Sequence, residues 1–299
     1  MSDAENLRAR LTRKPIVVAP GVFDALTAHL AERAGFSTLY VSGAAIAYTR
    51  LGRPDIGLVA MNEVADTVAL IRDRVTAHLI VDADTGYGNA LNVGRTMRLF
   101  ERAGANAIQL EDQDFPKRCG HLDDKALIPA EEMIGKIKAA LDARTSRETL
   151  VIARTDAVAV EGFEGAIARA ASYRDAGADL LFVEAPKTRA ELQRIPAAVN
   201  GVPLMANMVE GGKTPPLAAA DLEAIGFSLV IFPGAIVRAL ARTATEFYAA
   251  LAKHGTSESF LDRMYDFTAL NDVIGTPQMI ELGKEYEATR PDGKKGRGK

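Results

Sequence analysis

Two hydrophobic patterns alternate along the chain. Short apolar runs recur as IVVAPG (16–21), TLYVSG (38–43), HLIVDADTG (78–86), AIQLED (107–112), LVIARTDA (150–157), LLFVEAP (180–186), PLMANM (203–208) and LVIFPG (229–234). Each ends in polar or glycine positions. Continuous apolar runs of this length suit strands buried on both faces of a parallel sheet. Helical patterns such as VADTVALIRDRV, GRTMRLFERAG and GAIARAASYRDAG lie between most of them. A weak repeat links the two patterns: RAGFSTLYV, RAGANAIQL, DAGADLLFV and AIGFSLVIF each place a glycine (Gly35, Gly104, Gly177, Gly226) just before a strand. Glycine there fits the left-handed residue past a helix end. Eight strands alternating with helices predict a (β/α)8 TIM-type barrel. A doubly wound open sheet fits less well, because no GxGxxG follows the first strand.

After Gly234 the pattern is wholly helical, which is more helix than a barrel needs. The surplus is expected to cover the barrel bottom or to reach another subunit. The predicted organisation is therefore a single barrel domain over 1–290 with a C-terminal helical extension. The basic, glycine-rich tail 291–299 reads as disordered.

Composition narrows the function classes. The 299 residues are 48% hydrophobic and 25% charged with a formal net charge of −3, an ordinary globular make-up. It gives no electrostatic reason to expect a nucleic-acid partner. One cysteine cannot form an intramolecular disulfide. The polar N-terminal segment lacks a signal-peptide core, and no apolar run reaches membrane-spanning length. A cytoplasmic protein with no membrane partner is the expectation.

Polar residues gather at the C-terminal ends of the predicted strands: Ser42, Asp82, Asp84, Glu111, Asp112, Arg154, Asp156, Glu184 and Asn207. In a barrel that end carries the active site. Asp82 and Asp84, two apart on one strand, would share a face. Glu111 ends the next strand, and Asp55 lies in the loop LGRPDIG. Carboxylates without histidine or thiolate suit a hard cation, Mg2+ or Mn2+, that retains waters. The competing reading pairs each acid separately with Arg or Lys. Arg154 and Asn207 can bind a substrate carboxylate, helped by Ser42, Gly43 and Ala44 in the SGAA turn and by Thr214 in NMVEGGKTPP. Cys119 sits in a polar loop among Lys117, Arg118 and His121. Those cations favour a thiolate, which leaves two roles open: nucleophile, or thiol proton donor. The loop 113–128 precedes a helix expected near Pro129 and is long enough for a lid.

KRCGH (117–121), with DADTG before it and ARTDA after it, resembles the isocitrate lyase/phosphoenolpyruvate mutase superfamily over roughly residues 15–275. Within it the chain looks like the short lyases acting on 2-methylisocitrate and dimethylmalate, and like the related oxaloacetate hydrolases. The resemblance implies Mg2+ near Asp82, with Asp84, Asp55 and Glu111 helping largely through water. It implies a 2-oxo-acid half contacted by Ser42, Gly43, Ala44 and Arg154, and a carbanion protonated by Cys119. Gly120, His121, Asn207 and Thr214 would hold the other carboxylate, with Glu184 in the same site and Lys117 beside the cysteine. Tyr40 and a metal-linked carboxylate are the candidate bases. The family also implies a homotetramer whose last helix is exchanged between subunits. SGAA replaces the SGGG turn of methylisocitrate lyases, and NMVEGGKTP is more similar to the dimethylmalate lyase group. The expected function is cleavage of a 2-hydroxy di- or tricarboxylate to pyruvate or glyoxylate plus a carboxylic acid. The rivals are an oxaloacetate hydrolase or decarboxylase, and a non-catalytic barrel that binds a 2-oxo acid.

Overall fold

Eight parallel strands, β1 (Val17–Val22), β2 (Thr38–Val41), β3 (His78–Asp82), β4 (Ala107–Glu111), β5 (Leu150–Thr155), β6 (Leu180–Val183), β7 (Leu204–Asn207) and β8 (Leu229–Phe232), close into a barrel in chain order. β1 pairs with β8 to complete it. The computed structural model describes residues 6–122 and 124–288, so the tail 291–299 lies outside the described residues. All eight apolar runs form strands, and helices separate them as expected. Gly35, Gly104, Gly177 and Gly226 all take positive φ, from 96° to 120°, at helix ends where a Cβ would be strained.

Strand alternation explains both the core and the site. One set of strand side chains (Leu39, Val41, Leu79, Val81, Ile108, Leu110, Val151, Leu181, Val183) packs outward in the large hydrophobic cluster shared with the helices. The alternate set fills the barrel: Val17, Ala19, Tyr40, Ile80, Ala107, Ile152, Phe182, Met205 and Ile231, joined by Leu7 and Leu11 from the N-terminal segment. Further along the strands the inward positions turn polar. Ile80 is followed by Asp82, Gln109 by Glu111, Ile152 by Arg154, Phe182 by Glu184 and Met205 by Asn207. Period-two geometry thus stacks an apolar plug beneath a polar floor at the C-terminal mouth.

The chain divides into two compact units, Met1–Ala239 and Leu240–Lys299. The C-terminal helices are Ala235–His254, Phe267–Ile274 and Thr276–Ala288. Among the described residues no helix is long and apolar enough to cross a membrane.

Candidate active site

Register brings the polar floor together. Glu111 and Arg154 are direct Cα partners across β4 and β5, and Asp82 partners Gln109 across β3 and β4. Arg154 Nη1 accordingly lies 3.0 Å from Glu111 Oε2, and Gln109 Nε2 donates to Asp82 Oδ1 at 3.1 Å. Tyr40 donates its hydroxyl to Gln109 Oε1 at 2.8 Å. Asp156, just past β5, accepts from Arg154 Nε at 2.9 Å and from Nη2 at 3.0 Å. The guanidinium also lies 5.4 Å from the Phe182 ring centroid. Glu184 accepts from Asn207 Nδ2 at 3.1 Å.

One sequence-based premise is corrected. Asp82 and Asp84 do not share a face of one strand, because β3 ends at Asp82 and Asp84 lies in the following turn with φ 48°. Aspartate tolerates this left-handed conformation better than most residues. The turn bends the Asp84 backbone N–H back to Asp82 Oδ1 at 3.1 Å. Both carboxylates converge on Gly43, where an added Cβ would stand 3.3 Å from Asp82 Oδ2 and 3.4 Å from Asp84 Oδ1. Ser42, Gly43 and Ala44 form a helix start rather than a plain turn. Gly43–Ile46 is helical, with Ser42 capping it by accepting from the Ala45 N–H at 3.2 Å, and it runs into a π-helical turn, Ala47–Leu51.

The 113–128 loop is folded in over this floor. Its ends are tied by Asp114 N–H to Ala126 O at 2.8 Å and by Ile128 N–H to Asp112 O at 3.0 Å. The helix Ala130–Ala143 follows, with Pro129 as its N-cap. Lys117 is buried and pairs with Asp55 and with Asp84 Oδ1, the latter at 2.7 Å. His121 Nδ1 accepts from the Lys213 N–H at 3.0 Å, so in the neutral ring the proton sits on Nε2. Nε2 lies 3.0 Å from Glu184 Oε1, within ion-pair reach but off the line of a good hydrogen bond. Gly120 is pressed against the barrel, and a Cβ there would fall 2.5 Å from Arg154 Nη2 and 2.6 Å from Glu184 Cγ.

A cavity of about 60 Å³ remains between loop and floor. Of the sequence-predicted residues, Tyr40, Ser42, Ala44, Asp55, Asp82, Cys119, Gly120, His121, Arg154, Glu184 and Asn207 line it. Gly43, Asp84, Glu111 and Lys117 stand behind that lining through the contacts above. Thr214 is buried but does not line the cavity. Its neighbours Gly212 and Lys213 reach the site by packing on and bonding to His121. Sequence reasoning assigned no role to Gln109, Lys125, Tyr48 or Arg238, although all four touch the site or its cavity. An amide inside the apolar run AIQLED was the one legible sign, for Gln109.

Burial sets the protonation states. Desolvation, reinforced by Asp84, lifts Asp82 to about 6. Glu111 is raised well above the usual carboxylate range by burial despite Arg154, and Asp55 is raised by burial despite Lys117. Burial would also raise Asp156 and Glu184. Arg154 with Lys125 in the first case, and Arg154 with His121 in the second, hold them below the ordinary value. Burial raises the pKa of the Tyr40 phenol, with Asp82 adding to the effect, and its hydroxyl donates to Gln109. The cations around Cys119 do not yield a thiolate: burial raises its pKa, while Lys117 and His121 face carboxylates.

The carboxylates Asp82, Asp84, Asp55 and Glu111 are the oxygen donors available to a hard divalent cation. The oxygens are of the right chemistry, and Glu111 Oε1 is buried without a hydrogen bond, while Asp84 Oδ1 and Glu111 Oε2 face Lys117 and Arg154 as ion pairs. Among the described residues no three His, Cys, Asp or Glu side chains are gathered tightly enough to hold a metal by themselves. Such a set could hold a hard cation only through one or two carboxylates and otherwise through water.

The model of the phosphoenolpyruvate phosphomutase family matches residues 7–252. The chain is 41% identical to 2,3-dimethylmalate lyase of Eubacterium barkeri, over 97% of this chain and 100% of the relative. It is 47% identical to 2-methylisocitrate lyase of Aeropyrum pernix, over 90% of this chain and 86% of the relative. The crystal structure of oxaloacetate acetylhydrolase in complex with 3,3-difluorooxalacetate matches with a TM-score of 0.89 and 32% identity, over 94% of this chain and 96% of the other. The protein belongs to the PEP mutase/isocitrate lyase superfamily. Within it the chain is an enzyme of the carbon–carbon lyase class.

Proposed function

We propose that this enzyme cleaves a 2-hydroxy dicarboxylate or tricarboxylate of the alkylmalate or methylisocitrate type, giving pyruvate or glyoxylate plus a carboxylic acid. Mg2+, or Mn2+ in its place, is the proposed cofactor, beside Asp82 with Asp84, Asp55 and Glu111 around it. The observation that carries the reading is that Cys119, whose thiol burial pushes towards the protonated form, lines the same small cavity as Arg154 and Asp82. An acid, a carboxylate clamp and an oxygen-rich floor are what a retro-aldol cleavage requires.

A cation held beside Asp82, with Asp84, Asp55 and Glu111 around it, would supply Lewis-acid stabilisation to the 2-oxo half. Arg154, oriented by Asp156 along its Nε/Nη2 edge, keeps its remaining Nη donors for the carboxylate of the 2-oxo half. Ser42 and the start of the helix Gly43–Ile46 face the same half. Tyr40 stays protonated and fixes Gln109 against Asp82, so the proton of the substrate hydroxyl goes to a carboxylate of the floor. The electron pair of the breaking C–C bond then passes to the departing carbon. Cys119 gives its proton to that carbon and regains one from solvent. His121, Asn207 and the Gly120 backbone line the side that receives the second carboxylate, and Lys117 holds the loop against Asp55 and Asp84. The likeness to oxaloacetate acetylhydrolase supports a second reading, C–C hydrolysis of oxaloacetate on the same floor. A homotetramer is the proposed assembly.

The test is a panel of alkylmalates, methylisocitrate and oxaloacetate, with pyruvate, glyoxylate and oxalate as readouts. Cleavage of a hydroxy acid is expected, lost in EDTA and restored by Mg2+. Cys119→Ser is expected to lose turnover by about 10²–10⁴-fold while still binding a 2-oxo acid. Turnover at the wild-type rate in that variant would remove the general-acid role, and oxalate from oxaloacetate alone would select the second reading.

A further inference from the structure

The loop that carries Cys119 contains a charged group with no part in the reaction just described. The Lys125 side chain is 0% exposed, as is that of its partner Asp156. Its Nζ donates to Asp156 Oδ1 at 2.8 Å and to the Gly120 carbonyl at 2.5 Å. The first of these carboxylate oxygens is shared, because Asp156 Oδ1 also accepts from Arg154 Nη2 at 3.0 Å while Oδ2 accepts from Arg154 Nε at 2.9 Å. Asp156 is itself fixed, its N–H donating to Asp112 Oδ1 at 2.9 Å. One ammonium group therefore grips the peptide next to Cys119 and, through one carboxylate, the guanidinium that receives substrate.

We propose that Lys125 is a positioning residue that sets the distance between the proton donor Cys119 and the carboxylate clamp Arg154. The proposal rests on the lyase reading of the site and adds the element that fixes its geometry. A lysine serving the loop's stability alone would need only a partner within the loop. The loop's ends already have their own ties at Asp114 and Ile128, and Gln113 Nε2 donates to the Arg118 carbonyl at 2.8 Å. Lys125 instead crosses to β5's end and returns to Gly120. That carbonyl belongs to the glycine whose Cα is packed on Arg154 and Glu184. Acid and clamp are thus held by the same ammonium. A charge is expected there, because removing one of the two cations leaves the buried Asp156 carboxylate less compensated and frees Gly120 from it.

The experiment uses the full-length enzyme with Lys125→Ala and Lys125→Met, the second keeping the chain length should the first not fold. Two readouts are taken: steady-state kinetics, and alkylation of the chain's single cysteine by iodoacetamide with and without pyruvate. Expected are a kcat loss of about 10²-fold, the scale of an ångström-level misplacement, with a much smaller change in KM. Protection of Cys119 by pyruvate should be lost. Propylamine should restore both properties to Lys125→Ala, and propanol, which fills the same space without charge, should restore neither. Near-normal kcat with Cys119 still protected would overturn the proposal. So would equal rescue by propanol, which would reduce Lys125 to a space-filling role. Should the wild-type enzyme cleave no hydroxy acid, the functional reading fails, and the alkylation and rescue arms still decide the claim about Lys125.

Discussion

A cysteine flanked in sequence by Lys117, Arg118 and His121 has the neighbours of a reactive thiolate. In space those charges are spent elsewhere. Lys117 sits between Asp55 and Asp84, and His121 lies against Glu184, so the thiol is left with burial as its largest influence. The sign follows directly. Burial disfavours the charged form of a thiol and raises its pKa, so the protonated acid persists through neutral pH and is lost only as pH rises through that raised value. The pH dependence of iodoacetamide alkylation reads this residue alone, because the chain has one cysteine. The inflection is expected above the ordinary thiol value of about 8.5, and the alkaline limb of kcat/KM should coincide with it. An inflection near 6 or 7 would mean a stabilised thiolate, and the proton-donor role would fail.

At the scale of elements, strand alternation made most of the site legible in advance. The apolar runs gave the strands, and the acids and Arg at their ends gave Asp82, Glu111, Arg154, Glu184 and Asn207 a common face. What stayed hidden depends on lateral register and on loop paths, which local periodicity does not encode. Nothing in AIQLED says that Gln109 will stand opposite Asp82, or that Asp84 will reach its place by a turn with φ 48°. Lys125 carried no signal at all, since its partners are 5 and 31 residues away. Gly120 is the place where loop and strands meet most closely. Gly120→Ala would set a methyl group 2.5 Å from Arg154 Nη2 and 2.6 Å from Glu184 Cγ, both on buried side chains. The loop can relieve that overlap only by lifting away. We expect kcat to fall about 10²-fold with the melting temperature of the barrel nearly unchanged, since the pairing between strands is left intact. Unaltered kcat in this variant would show that the close approach of Gly120 is not needed for turnover.

At the scale of the whole molecule, the barrel and the C-terminal unit differ in how they treat apolar side chains. The barrel unit packs most of its large ones in two clusters, with scattered exceptions such as Leu70 and Leu91 at its surface. In the unit Leu240–Lys299, Leu261 is 61% exposed, Phe267 86%, Met279 65% and Ile280 55%, while Phe260 and Val273 are its buried hydrophobics among the described residues. Apolar area left in water forgoes roughly 25 cal/mol per Å², and these side chains are spread over successive short helical elements that bury few hydrophobics of their own. A second copy of the chain is the occupant we argue for, because homo-oligomers use self-complementary apolar surfaces of this kind. Light scattering on the purified enzyme is expected to give four times the 32.0 kDa of one chain. Phe267→Asp combined with Met279→Asp is expected to lower that mass while circular dichroism retains the helical and strand signal. A single-chain mass for the wild-type enzyme at micromolar concentration would overturn the assembly, and would leave those apolar side chains without the cover proposed for them.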